Sequence, residues 1–145
     1  MKFKNEMNQY IANLSVLNVK LHNLHWNVVG EQFMPIHQFT EGLYDVYFKL
    51  FDDVAEMLKI RGEYPAASLK TYLEIATVSE LAENVDFTTK EVLTIVKSDM
   101  ELMKALALQI RTLADEAGDF EVVAEMEDHV GQYNKNLWFL SAMTK

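Results

Sequence analysis

The sequence predicts an all-α chain: four long helices in a bundle, with one long crossover between the second and the third. Three observations point there. Apolar residues recur at steps of three and four along four separate segments, the spacing that lays a stripe down one side of a helix. The chain has only 5 Gly and 2 Pro in 145 residues, so few positions interrupt a helix. Those few fall between the periodic segments rather than inside them, apart from Gly42 and Gly131.

The first segment carries Met7, Tyr10, Leu14, Leu17, Leu21, Leu24 and Val28 on one stripe and is expected to stop at Gly30. Pro35 suits the first turn of the second, whose stripe is Ile36, Phe39, Leu43, Tyr47, Leu50, Val54 and Met57, ending near Gly62 and Pro65. The third shows Leu93, Val96, Met100, Met103, Ala107, Ile110, Ala114 and Ala117, with Thr88 and Glu91 spaced as a capping box at its start. Gly118-Asp119 makes a tight break before the fourth, with Val123, Met126, Val130, Tyr133, Leu137 and Leu140. Short turns join the first pair and the last pair. The link from Gly62 to Thr88 is long enough to run the length of the bundle, and Ala66 to Leu73 within it is expected to form a short extra helix. That arrangement is a ferritin-like bundle in one domain spanning residues 1–145. The methionines fall mostly at core spacing and are expected to act as filler.

Charge and composition exclude several classes of function. With 13 basic against 22 acidic residues the net charge is −9, which repels phosphate backbones and attracts cations. Neither end supplies a basic arm to override it. Zero cysteines exclude disulfides and thiolate chemistry. No apolar run is long enough for a membrane span. Asn5, Asn8, Gln9, Asn13 and Asn18 break up any signal-like apolar stretch, so a cytoplasmic protein is expected.

The second helix holds the chemistry. On a wheel of about 100° per residue with His37 at zero, Glu41, Asp52, Asp45 and Glu56 fall at roughly 40°, 60°, 80° and 100°. The apolar stripe centres roughly 170° away, so the acids face outward. A solvated acidic face is the plain reading. Against it, Phe48 lies within the acidic arc, Tyr44 and Phe51 lie beside it, and Trp26 on the first helix also points outward, which suggests a subunit interface. His25 and His37 lie either side of the Gly30 turn and so share one end of the hairpin. Imidazoles with carboxylates suit iron, and would also accept zinc or manganese. From His37 to Asp52 is about 22 Å along the axis, too far for one ion. A second copy packed antiparallel across a two-fold axis would bring its Asp52 and Glu56 opposite His25 and His37, twice per dimer. A di-iron site inside the bundle is not supported: the third helix has no histidine, and His129 has Met126 where a Glu-x-x-His pattern needs a carboxylate.

The residues "HNLHWNVVG", then "FMPIH" with His37 twelve positions after His25, then Asp52-x-x-x-Glu56, resemble the Dps family of miniferritins, in particular its short-tailed branch with the neutrophil-activating proteins. The resemblance covers nearly the whole chain. It implies a hollow dodecamer that oxidises Fe2+, commonly with hydrogen peroxide or else O2, and stores ferric mineral. By position it implies His25 and His37 from one subunit, with Asp52 and Glu56 from its two-fold mate, as iron ligands and the catalytic set. Glu41 stands where many relatives carry Asp as a further ligand. Trp26 matches a tryptophan thought to intercept oxidising equivalents, and interface packing would equally account for it. Asp119, Glu121, Glu125 and Asp128 match the place where relatives line a three-fold iron pore, although acids also collect at helix starts for the sake of the dipole. Asp45 and Asp53 are candidates to nucleate mineral. His22, about 60° around the helix from His25, is not part of the family pattern, and His129 is expected to be a surface or interface histidine. The family is named for DNA binding, the alternative function; that activity usually rests on a basic tail, which this chain lacks. A role as an extracellular ligand of host cells follows from the resemblance alone.

Overall fold

In the computed structural model, which describes all of residues 1–145, four long helices form the bundle: α1 (Lys4–Asn27), α2 (Phe33–Ile60), α4 (Thr89–Glu116) and α5 (Phe120–Met143), with a short α3 (Leu69–Ile75) in the crossover. The helices pack as two hairpins, α1 on α2 and α4 on α5, and α1 also meets α3 and α4. The apolar stripes converge on one continuous core of 34 buried residues. Burial of these stripes, rather than helix propensity, holds helices of this length in place. No helix is long and apolar enough to cross a membrane.

The ends of the elements follow local chemistry. Thr88 and Glu91 form the expected capping box, satisfying two backbone N–H groups at the start of α4. Asp119 caps α5 through the Val122 N–H. Gly30, Gly62 and Gly118 all have positive φ, and each ends or follows a helix where the chain must turn back. Helix α1 stops one residue earlier than its apolar pattern, because Val28–Val29 (β1) is extended and pairs in parallel with Phe87–Thr88 (β2). This two-residue bridge ties the α1–α2 turn to the end of the crossover. It is invisible to helix periodicity, being a contact between segments nearly 60 residues apart.

The crossover helix lies slightly later than the expected Ala66 to Leu73. Ser68 accepts the Thr71 N–H and starts it. Ala66 stays outside the helix instead: its N–H donates to the Asn8 side chain and its carbonyl accepts from the Tyr72 hydroxyl. Asn13 is fully buried and clamps the far end of the crossover, its Oδ1 accepting from the N–H groups of Thr77 and Val78 and its amide donating to Thr77 Oγ1. Read in sequence as merely an interruption of hydrophobicity, Asn13 is what holds the crossover along α1.

Candidate metal centre

The α1–α2 turn places two histidines in reciprocal contact. Gly30 adopts φ +122°, outside the range of most L-residues, and its carbonyl accepts the Phe33 N–H to open α2. Pro35 follows in the first turn, where its missing N–H costs nothing. His25 Nδ1 donates to the His37 carbonyl at 2.6 Å, and His37 Nδ1 donates to the His25 carbonyl at 2.8 Å. The His25 carbonyl lies in the last turn of α1, where the helix leaves its acceptors without intrahelical donors, so His37 satisfies a group that would otherwise need water. Because a carbonyl only accepts, both Nδ1 atoms carry the proton. Both Nε2 atoms are left with a lone pair and no hydrogen-bond partner.

The two rings stack at 3.6 Å between centroids and 13° between planes. Phe33 stacks beyond His37, and Tyr44 meets His25 edge-on. Thr40, fully buried, donates its hydroxyl to the Ile36 and His37 carbonyls and lies 3.2 Å from His25 Nδ1. Fixing the tautomer and plane of an imidazole through its other nitrogen is how proteins prepare a metal-binding histidine. The sequence reading gives no role to Thr40, or to Phe33 beyond its place in the FMPIH run. They sit three residues after and four before His37, on neighbouring turns.

The carboxylates are placed differently. Glu41, Asp45, Asp52 and Glu56 all lie exposed on α2, and Phe48 among them is 65% exposed. Asp52, Glu56 and Asp45 have no hydrogen-bonded or ionic partner within the chain, and Glu41 has only a long contact from the Tyr44 hydroxyl at 3.5 Å. Asp53 is taken by Lys49 at 2.7 Å. One chain therefore brings His25 and His37 together but does not bring Asp52 or Glu56 to them, and no group of three or more metal-binding side chains gathers within it. Trp26 is 66% exposed. It tilts against His22, which stacks on Tyr44 at 3.7 Å, so an unbroken run of rings leads from Trp26 to His25.

The four acids near the start of α5 separate by partner. Asp119 accepts from Arg61 Nε and a second guanidinium nitrogen at 2.6 and 2.7 Å, and this pairing holds its carboxyl below the usual carboxylate range. Glu125 accepts from His129 Nε2 at 2.9 Å. Glu121 touches Arg61 at 3.2 Å but stays largely exposed, and Asp128 is exposed with only Gln132 beside it. His129 itself is a correction to the sequence reading: it is wholly buried in the bundle rather than at the surface, because Tyr10 and Glu125 satisfy both of its nitrogens.

The chain matches the model of the ferritin-like domain over residues 4–145. It is 36% identical over 137 residues to the DNA protection during starvation protein of Brevibacillus brevis, covering 94% of this chain and 90% of that one. Its fold superposes on the crystal structure of antigen TpF1 from Treponema pallidum with a TM-score of 0.95 at 31% identity, covering 99% and 92% of the two chains. It also superposes on the Dps protein of Vibrio cholerae O1, a member of a broad superfamily of ferritin-like diiron-carboxylate proteins, with a TM-score of 0.93 at 26% identity over 99% and 89%. With the bundle, the crossover helix and the paired histidines in place, these matches settle the family: the chain belongs to the Dps proteins of the ferritin-like superfamily.

Proposed function

We propose that this protein is a ferroxidase and iron store that protects against oxidative damage, and that its reaction takes place between subunits. The observation that carries the proposal is the pair of preset histidines, with both Nε2 lone pairs available, beside an outward row of carboxylates that the same chain cannot bring to them. Two copies related by a two-fold axis, their α2 helices antiparallel, complete the set twice. His25 and His37 come from one subunit, Asp52 and Glu56 from the other, with Glu41 as a further oxygen donor. Fe2+ is the substrate. Neutral imidazoles hold it loosely, and anionic oxygen donors favour Fe3+. Two Fe2+ give one electron each to one hydrogen peroxide, whose O–O bond breaks, and two protons complete two waters. No hydroxyl radical is released. O2 is the alternative oxidant, and zinc or manganese would compete for the donors.

The same reading assembles the pairs into a hollow dodecamer that keeps ferric mineral inside. Glu121 and Asp128, the less committed of the α5 acids, are the better candidates for the pore by which Fe2+ enters, while Asp45 and Asp53 would face the growing mineral. Trp26, joined to His25 through a run of rings, would intercept stray one-electron oxidants. The net charge of −9 speaks against DNA compaction as the main activity.

The test is an anaerobic Fe2+ titration followed by a peroxide pulse, comparing wild type with a His25→Ala, Asp52→Ala double variant that assembles equally. Fast ferric absorbance near two irons per peroxide, lost in the variant, is the expected result. Equal rates in both would reduce these residues to an interface.

A further inference from the structure

Outside the metal centre, the bundle core contains a second organised set of polar groups. Tyr10, Tyr133 and His129 are all buried to 1% exposure or less, in a core otherwise apolar at that level apart from Asn13 and Thr40. The Tyr133 and Tyr10 hydroxyls are hydrogen-bonded to each other, Tyr10 reaches His129 Nδ1 at 2.9 Å, and His129 Nε2 reaches Glu125 Oε1 at 2.9 Å. The Tyr10 and His129 rings also lie nearly parallel, 22° apart.

The direction of this chain follows from its end. A carboxylate only accepts, so His129 Nε2 carries the proton and Nδ1 is the acceptor. Tyr10 therefore donates to Nδ1, and its oxygen accepts from Tyr133. Burial favours the neutral imidazole that this requires, lowering the affinity of His129 for a second proton. Glu125 opens on a concavity of about 510 Å³ lined by Asp45, Asp53 and Asp128, so the last member of the chain meets solvent.

Three buried groups sharing protons in this order cost desolvation that three apolar side chains would avoid. The metal centre does not use them: the network joins α1 to α5, and Tyr10 stands fifteen residues, about 22 Å along α1, from His25. We propose that Tyr10 is a redox-active tyrosine, a sink for one-electron oxidants of the hydroxyl-radical class, with His129 and Glu125 as its proton outlet. Trp138, 66% exposed and five residues after Tyr133 on α5, is the point of first attack.

The step balances. The oxidant takes one electron, by way of Trp138, and leaves as hydroxide. Tyr10 loses that electron and its phenolic proton, which passes to His129 Nδ1 as the Nε2 proton passes to Glu125. Glu125 releases it to the concavity, where it neutralises the hydroxide to water. The net change is one phenol to one phenoxyl and one radical to one water. Burial pushes the Tyr10 phenol far above its ordinary range, which closes the route through a free phenolate and makes the adjacent base necessary. Tyr133 has no such base, since its hydroxyl donates only to Tyr10.

This inference does not depend on iron binding, and the radical itself is followed without iron. Azide radical, made by pulse radiolysis, is applied to the assembled iron-free protein as the one-electron oxidant, and the tryptophanyl and tyrosyl absorption bands are followed in time. A tyrosyl band that grows as the tryptophanyl band decays, at a rate independent of protein concentration, is expected in wild type and in Tyr133→Phe. Tyr10→Phe should lose that growth while its Fe2+ oxidation stays unchanged, and His129→Phe should lose most of it. Tyr64→Phe, which removes a phenol exposed to solvent, should leave it intact. Growth that survives in Tyr10→Phe, or disappears in Tyr64→Phe, overturns the assignment. If Tyr10→Phe fails to fold, freeze-quenched high-field EPR of the wild-type radical decides. A phenoxyl with a hydrogen-bonded oxygen, unchanged in Tyr133→Phe, supports Tyr10, and one with a free oxygen, or one lost in Tyr133→Phe, refutes it.

Discussion

Two inactive subunits should rescue each other if the ferroxidase centre is shared. Consider one variant lacking both histidines, His25→Ala with His37→Ala, and another lacking both acids, Asp52→Ala with Glu56→Ala. Within one chain the two half-sets are held apart by α2 itself: His37 and Asp52 are fifteen residues, about 22 Å, apart on a continuous helix. Homodimers of either variant therefore contain no complete site. A mixed dimer contains one complete site, with histidines from the acid-less subunit and acids from the histidine-less one, and one site lacking both halves. Random pairing at equal amounts makes half of the dimers mixed, each with one of two sites, so about one quarter of the wild-type sites return. The assay is the initial rate of Fe2+ oxidation by peroxide after co-refolding at varied ratios, against the same variants mixed after assembly. The rate should peak at equal amounts near one quarter of wild type and stay at background in the post-assembly mixture. Background activity at every ratio, in samples shown to contain mixed oligomers, would refute the shared centre. High activity in either variant alone would do the same.

Other consequences follow from particular contacts. Asp119→Ala removes the α5 cap and the bidentate Arg61 pair, each worth about 1 kcal/mol in partly buried surroundings. The melting temperature should fall by about 6–8 °C for a chain of this size, with Asp119→Asn falling less because it keeps the cap. His129 is held neutral by burial, so the unfolded chain binds the extra proton first and stability should fall as the pH drops below about 6.5. Denaturant titrations from neutral to mildly acidic pH should show that slope, and His129→Gln should flatten it. A gel shift with duplex DNA at ordinary salt should show no retardation, because a net −9 surface gains nothing from counterion release. Tight metal-free binding would contradict that.

Much of this molecule is legible from residue spacing. The steps of three and four placed all four long helices, since an amphipathic stripe has only one side to bury. Gly30, Gly118 and the Thr88–Glu91 pair marked their ends because those signals act within a few residues. The same arithmetic put Glu41, Asp52 and Glu56 on the outer face of α2, where they are found. What spacing leaves undecided is every contact between groups distant in sequence. The β1–β2 bridge, the Asn13 clamp on the crossover and the burial of His129 each pair residues 59 to 119 positions apart, and no local pattern encodes such a pairing. The reciprocal histidine clasp lies between these limits. Sequence brought His25 and His37 to the same end of a hairpin, but only the packed turn, which sets each Nδ1 against the other's carbonyl, decides which nitrogens remain free for a metal.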